Sequence, residues 1–370
     1  MIRVMLVGNA VLDRQQSMLR FADLVATALA GKAAVDAVAP PALCSASLAH
    51  TDAGWRKWVG YLDKYVLFPP ILALRRRGAD VVHVLDHSNA LYVPRRRSVP
   101  WVVTCHDLLA VRSALGLVPG RAISASGRAQ QTLIRAGVVR ADLVVSVSAA
   151  TDADVGDLLG VPAQRRMVVP NALNRTWQPR ERASVEAGLR RLGRDPARPY
   201  VLHVGGNQWY KNRPGVVAAF TSLAAQESGL DLILAGKPPD APLREAIAAS
   251  PARARITTLA DVDDDGIEIL YSGAALLLFP SLAEGFGWPV IEAQACGCPV
   301  VTADREPLLS VAGGAAETAP PDDPVALAAA CRRALMRREE LRRTGFANAS
   351  RYTPAAMADG YLAAYRRVLA

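Results

Sequence analysis

From Met1 through Trp177 the sequence contains no glutamate. Twelve aspartates face 21 lysines and arginines there, while the remainder balances 22 basic against 22 acidic side chains. The whole net charge of +9 therefore sits in the first half, densest at Arg75-Arg76-Arg77 and Arg95-Arg96-Arg97. Two readings stay open. That half meets an anionic partner, phosphate groups or the surface of an anionic membrane, or an Arg- and Ala-rich composition simply uses arginine wherever a solvated cation serves. Cysteine is scarce and odd in number: Cys44, Cys105, Cys296, Cys298 and Cys331. Only Cys296 and Cys298 are close, with no second pair or histidine cluster to complete a metal site, so no metal is expected. Small buried thiols in a reducing cytoplasm are expected instead, at most with peripheral contact at the inner membrane face. No apolar run reaches the length of a membrane span; the longest candidate, Tyr65 to Leu74, is broken by Pro69 and Pro70. The start, MIRVMLVGNA, reads as a buried strand rather than a signal peptide. Short-period repeats and low-complexity tracts are absent too. Trp55-Arg56-Lys57-Trp58 could stack bases, but no nucleic-acid module accompanies it, so it is expected to face solvent, lipid or acceptor.

What the sequence has is a succession of short β-branched runs: IRVMLVG, VVHVL, WVVTC, LVVSVS and MVVP, then YVLHVGG, LDLILAG, RITTL, ALLLFPS and PVVTA. Near-continuous apolar strands alternating with helices predict parallel sheets covered on both faces. Repeated twice, the order predicts an α/β protein of two doubly wound, Rossmann-like domains. The polar, Arg- and Pro-rich stretch from Asn171 to Tyr200 marks the seam. Met357, Tyr361, Leu362, Tyr365 and Leu369 predict an amphipathic helix over 354–370.

In open parallel sheets, ligands sit outside the carboxyl ends of the strands. YVLHVGGNQWYKNRPG ends a strand at Val204 and continues with Gly205 and Gly206, where backbone amides can approach a ligand. Lys211 follows within reach, a pairing suited to phosphate oxygens and also consistent with an ordinary turn beside a surface lysine. SLAEGFGWPVIEAQACGCPV places Glu284 in a loop, then Gly285, Phe286 and Gly287, then a helix with Pro289 in its first turn and Glu292 beyond. Both glutamates could merely complement the helix dipole. A helix terminus flanked by carboxylates also suits an anion with neighbouring hydroxyls, which describes a nucleotide sugar.

E-G-F-G-W-P-V-I-E-A-Q-A-C-G-C-P-V-V resembles the signature of family 4 glycosyltransferases, retaining enzymes of GT-B fold. VVTCHDLLAV, ADLVVSVSAATDADVGDLLGVPAQRRMVVPNALN and RYTPAAMADGYLAAYRRVLA resemble further parts of the family, so the likeness covers nearly the whole chain. The resemblance implies an N-terminal acceptor-binding domain over 1–172, joined by a terminal helix over 354–370 that crosses back to it. It implies a nucleotide-sugar-binding domain over 173–353, the two facing a central cleft. Glu292 would bind the donor ribose and Glu284 the hydroxyls of the transferred sugar. The amides of Phe286 and Gly287 would hold sugar or phosphate oxygens, and Lys211 would bind the leaving pyrophosphate. Such charge-assisted bonds are worth about 1.5–3 kcal/mol each before desolvation. Val262 would contact the base through its backbone, and His106 would lie near the donor sugar. The implied donor is a GDP- or UDP-linked hexose such as mannose or glucose, with no metal. The implied acceptor is a glycan or lipid-diphosphate carrier. Two departures stand out. Gly206 occupies a position where many members carry arginine, leaving Arg213 as the candidate second cation, and Gly8 is followed by Asn9 instead of a second glycine.

Other signals have structural readings. Asp261-Val262-Asp263 could be a metal-binding Asp-x-Asp, but Asp265 to Glu268 read as a capping box. His203 and His83 read as core. Asp86-His87 could line an acceptor site. Ser146 and Ser148 lack a nucleophile elbow. The alternatives to glycosyl transfer are a sugar-nucleotide epimerase of the same fold and a non-catalytic polyanion-binding module.

Overall fold

The structure is a computed structural model describing residues 1–13, 15–51, 54–118, 120 and 123–370. The chain divides into two compact units, Met1–Asn174 with Thr353–Ala370, and Arg175–Tyr352.

The first unit is built on a parallel sheet of β1 (Arg3–Val7), β2 (Ala34–Val38), β3 (Val81–Val84), β4 (Trp101–Cys105), β5 (Leu143–Ser146) and β6 (Arg166–Val168). The strand order is β2-β1-β3-β4-β5-β6. The four central strands are buried almost end to end, which is why their apolar runs show no alternation. β2, AVDAV, was not evident in the sequence. It is an edge strand, half exposed, and a central aspartate interrupts its apolar pattern.

The predicted terminal helix is Pro354–Leu369, capped by Thr353, whose hydroxyl accepts from the Ala356 amide. It packs on the Gln16–Leu29 helix and on β4 and β5. Met357, Tyr361, Leu362 and Tyr365 are buried as the spacing requires, but Leu369, the last residue of the helix, is exposed. The tyrosines explain His83. Its Nδ1 meets the Tyr365 hydroxyl at 2.8 Å and its Nε2 meets Thr104 Oγ1 at 2.7 Å. Thr104 in turn meets the Tyr361 hydroxyl at 3.1 Å. A buried polar ring costs little once both nitrogens are engaged. Burial drives the His83 pKa down to about 3.

The second unit carries β7 (Tyr200–Gly205), β8 (Asp231–Gly236), β9 (Ile256–Ala260), β10 (Leu276–Phe279), β11 (Val300–Ala303) and β12 (Glu317–Ala319). All are parallel, in the order β12-β11-β10-β7-β8-β9. β12, three residues long and also at an edge, left no sequence signal. The stretch read as a seam is ordered. Trp177 is buried against Tyr271, ring centroids 5.8 Å apart, and Arg182–Arg191 is a helix.

The capping box is corrected. The helix Asp264–Gly273 is capped by Asp263, whose carboxylate accepts from the Gly266 amide at 2.8 Å. Asp265 is exposed and pairs with Arg175 at 2.9 Å. Glu268 is fully buried and accepts from the Gln178 amide at 2.9 Å and from Arg180 Nε at 2.7 Å. Its task is to fasten the 175–180 segment to the unit. Four of the cysteines are buried as expected, but Cys44 is exposed. No helix among the described residues is long and apolar enough to cross a membrane.

Candidate functional site

In the second unit the chain lays down β7, β8 and β9 to one side and then β10, β11 and β12 to the other. The strand order reverses between β7 and β10. Loops leaving the carboxyl ends of those two strands diverge there and leave a crevice. The two stretches singled out from the sequence are those loops.

After β7 the chain passes Gly205 and Gly206, makes a 3-10 turn at Trp209–Lys211 and enters the helix Arg213–Ala224 through Asn212. Asn212 has φ 55°. Its Nδ2 donates to Pro280 O at 3.0 Å and to Pro321 O at 2.7 Å, tying the β7 loop to the β10 loop. The Leu282 amide adds a bond to Tyr210 O at 2.7 Å. These ties bring two predicted residues together: Lys211 Nζ donates to Glu284 Oε1 at 2.7 Å, with both side chains largely buried. The ammonium also lies 5.0 Å from the centre of the Phe279 ring and 5.6 Å from that of Tyr210, contacts that favour a cation.

Gly287 caps the following helix, Trp288–Ala295, from the left-handed region at φ 107°. A Cβ there would lie 2.6 Å from Leu308 Cδ2, so only glycine permits this entry. Pro289 occupies the first turn and no side chain caps the helix. Phe286 is buried edge-on to Tyr352, ring centroids 5.6 Å apart. Glu292 is buried in the second turn and is held by Tyr271, whose hydroxyl donates to Oε2 at 3.1 Å. Tyr271 lies 21 residues upstream on another helix, and nothing in the motif around Glu292 pointed to it. Burial, with the Glu292 charge beside it, pushes the Tyr271 hydroxyl pKa well above the usual range.

Gly205 and Gly206 have no positive φ; the strained glycine is Gly236, at the end of β8, with φ 147°. A Cβ on Gly236 would fall 2.0 Å from Gly205 O, so this glycine lets the ends of β7 and β8 close. Arg213 is buried. Its Nη1 donates to Asn207 Oδ1 and, at 3.0 Å, to Lys237 O. It braces the loops after β7 and β8, and burial lowers its pKa. Its Nε and Nη2 are buried without a protein partner. His203 is core, as expected. Nδ1 donates to Leu278 O at 2.9 Å, which leaves Nε2 unprotonated, and burial takes the pKa to about 3. Val262 sits at the same sheet end, after β9, following Asp261 with φ 53°. Asp261 lies 3.7 Å from Lys237 Nζ, and Asp263 caps a helix. Among the described residues no group of three or more His, Cys, Asp or Glu is placed to hold a metal ion.

In the first unit the order reverses between β1 and β3. There Asp86 accepts from Asn9 Nδ2 at 2.6 Å and from Ser88 N at 2.9 Å. Asn89 Nδ2 donates to Asn9 Oδ1 at 3.1 Å. So Asn9, where a second glycine was expected, serves as a buried strut. His106, after β4, is buried edge-on to Phe21, and its Nε2 donates to Leu85 O at 2.9 Å. Burial lowers its pKa, partly offset by Asp86. Ser148 caps the helix Ala149–Leu159. A pocket of ≈ 420 Å³ opens beside the ends of β1 and β2, lined by Leu12, Pro40, Ser45, Thr51, Asp63 and Lys64 among others.

Two family models match. Glycosyl transferase 4-like domain covers residues 13–172, and Glycosyl transferases group 1 covers residues 186–351. The chain belongs to the GT-B glycosyltransferases of group 1 and family 4 type.

This glycosyltransferase is 30% identical over 308 residues to a D-inositol 3-phosphate glycosyltransferase of Segniliparus rotundus, covering 78% of this chain and 67% of that protein. It is 27% identical over 253 residues to O-antigen chain mannosyltransferase B of Escherichia coli, covering 68% and 65%. The matched stretch thus spans about two thirds of each relative. Among solved structures, sucrose-phosphate synthase of Thermosynechococcus elongatus superposes with a TM-score of 0.76 at 20% identity, over 99% of this chain and 98% of that one. Anabaena HepE in complex with UDP and glucose gives 0.74 at 16% identity, over 98% and 99%. Both show the same fold.

Proposed function

We propose that this glycosyltransferase is a retaining hexosyltransferase that takes a hexose such as mannose or glucose from a UDP- or GDP-linked donor. The acceptor is a hydroxyl of a glycan or lipid-diphosphate carrier, in the assembly of cell-surface polysaccharide. The observation that carries the reading is the Lys211–Glu284 pair, set between the carboxyl ends of β7 and β10. A buried cation held by a carboxylate in such a crevice is arranged for exchange. A donor diphosphate takes the Lys211 ammonium, and Glu284, released, accepts from sugar hydroxyls. The amides of Phe286 and Gly287, with the dipole of the helix they precede, add to the anion site. Glu292, oriented by Tyr271, accepts from the ribose hydroxyls. Val262 offers backbone to the base, and His106 serves the donor sugar.

In the reaction the bond from the sugar's anomeric carbon to the diphosphate oxygen breaks. The acceptor oxygen bonds that carbon on the same face, and its proton passes to the departing diphosphate. Lys211 stabilises the charge that grows on the leaving group. The relatives support the substrate class, since one is named for glycosyl transfer to inositol phosphate and another for mannosyl transfer to O-antigen. The test is calorimetry with UDP, GDP and their hexose conjugates, followed by NMR of the product anomer. Retention with one of these donors is expected. An inverted product, or binding unaltered by Lys211→Ala and Glu292→Ala together, would overturn the reading. Isotope exchange at the sugar's second carbon without acceptor would point instead to epimerisation.

A further inference from the structure

The first unit carries 22 lysines and arginines against 13 aspartates, while the second is balanced. Part of that excess surrounds a long helical segment with exposed apolar side chains. The backbone is helical without a break through Arg56–Leu62, Asp63–Leu67 and Phe68–Arg75, the middle segment being a π turn. At about 1.5 Å per residue the stretch is roughly 30 Å long. Trp55, Trp58, Leu62, Val66 and Leu74 stand exposed along it, the two tryptophans at 65% and 69%.

From Trp58 the spacing is in fours. In an α-helix each such step overshoots a full turn by about 40°, which would carry Leu74 well round the helix from Trp58. A π turn winds more slowly and takes back much of that drift. The irregularity thus keeps the apolar side chains in one stripe.

Six cations lie in 55–78: Arg56, Lys57, Lys64, Arg75, Arg76 and Arg77. Lys64 is largely buried against Asp13, and Arg75 pairs with Asp36 at 2.6 Å, so Lys57, Arg76 and Arg77 are the cations offered to a partner. The single carboxylate there, Asp63, is buried, accepting from the Cys44 amide at 2.8 Å and the Ser45 amide at 3.0 Å. A protein-interface core is depleted in lysine. An apolar stripe with exposed tryptophans and flanking lysine and arginine is instead the pattern of helices that lie in a bilayer interface.

We propose that this stripe docks the first unit on an anionic bilayer, the tryptophans seated at headgroup depth and Lys57, Arg76 and Arg77 facing lipid phosphates. The test of this docking does not read glycosyl transfer, so its failure is distinct from failure of the donor-site reading. Full-length protein is sedimented with phosphatidylcholine vesicles, with and without phosphatidylglycerol, at low and high salt. Binding is expected on phosphatidylglycerol vesicles, falling as salt rises. Lys57→Gln with Arg76→Gln and Arg77→Gln should lower the partition coefficient at least about tenfold. Trp55→Ser with Trp58→Ser should lower it by a similar factor, about tenfold, through lost apolar burial. All five side chains lie on the surface segment, so thermal unfolding of these variants should match the parent. Should a variant unfold, quenching of the parent's tryptophan emission by brominated lipid reads the same insertion, and unquenched emission counts against it. No binding to anionic vesicles, or undiminished binding by the tryptophan variant, overturns the proposal. Self-association lost in that variant, without vesicle binding, would assign the face to a second copy and equally overturn it.

Discussion

Replacing Lys211 by alanine removes two things at once. The leaving diphosphate loses a cation, and Glu284 keeps a buried charge without its partner. Breaking a buried pair from one side costs about 3–5 kcal/mol, whereas removing both partners is often nearly neutral. Lys211→Ala should therefore lower both stability and kcat. Lys211→Met with Glu284→Gln should recover the melting temperature while kcat stays down by about 10²–10³. If the double variant regains turnover, the pair is structural. Tyr271→Phe asks a narrower question. Losing one hydrogen bond to Glu292 should raise the donor KM by about five- to tenfold, with kcat little changed. A fall in kcat at constant KM would remove Glu292 from ground-state donor binding. At this scale the sequence was legible where chemistry is local. Glu284, Gly287 and Glu292 lie within nine residues, and Lys211 follows its glycines closely. Tyr271, Asn212 and Gly236 were not legible, because each acts through a partner distant in the chain and supplied only by the fold.

Elements divide along the same line. Central strands such as VVHV and LLLF are buried on both faces and announce themselves as unbroken apolar runs. β2 and β12 escape notice because an edge strand has one paired side and need not be apolar throughout. Helix starts are subtler still. Asp263 and Asp265 are both plausible caps on composition, and only the structure shows that Asp263 meets the Gly266 amide. Asp263→Ala should cost about 1 kcal/mol in denaturant unfolding. Asp265→Ala, which loses an exposed ion pair, should cost less. Equal losses would contradict the assignment. Gly236→Ala should be far more damaging than either, since its Cβ meets backbone rather than a movable side chain. The expected readout is a lowered melting temperature together with weakened nucleotide binding, because the β7 loop is displaced.

For the whole molecule, pH offers a test of two of the buried histidines, His83 and His203. His83 and His203 both have folded pKa values near 3, against 6.5 for the free side chain. Each is neutral when folded and protonates once unfolded. Their contribution is complete above pH 6.5 and is lost as pH falls toward about 3. Each bound proton adds a slope of about 1.36 kcal/mol per pH unit. His203→Gln should remove about one proton from the uptake on unfolding the second unit, measured by denaturant titration across that range. An unchanged slope would mean that the ring titrates normally.

The helix Pro354–Leu369 is encoded after the whole second unit yet completes the unit encoded before it, where Tyr361 and Tyr365 close over His83 and Thr104. A nascent chain leaving the ribosome must therefore carry an unsealed first unit through synthesis of everything between. Its apolar face stays open to chaperones and proteases until residue 365 has emerged. A premature stop near residue 353 would leave that unit permanently uncovered, so such a product should be degraded rather than accumulate as a stable fragment.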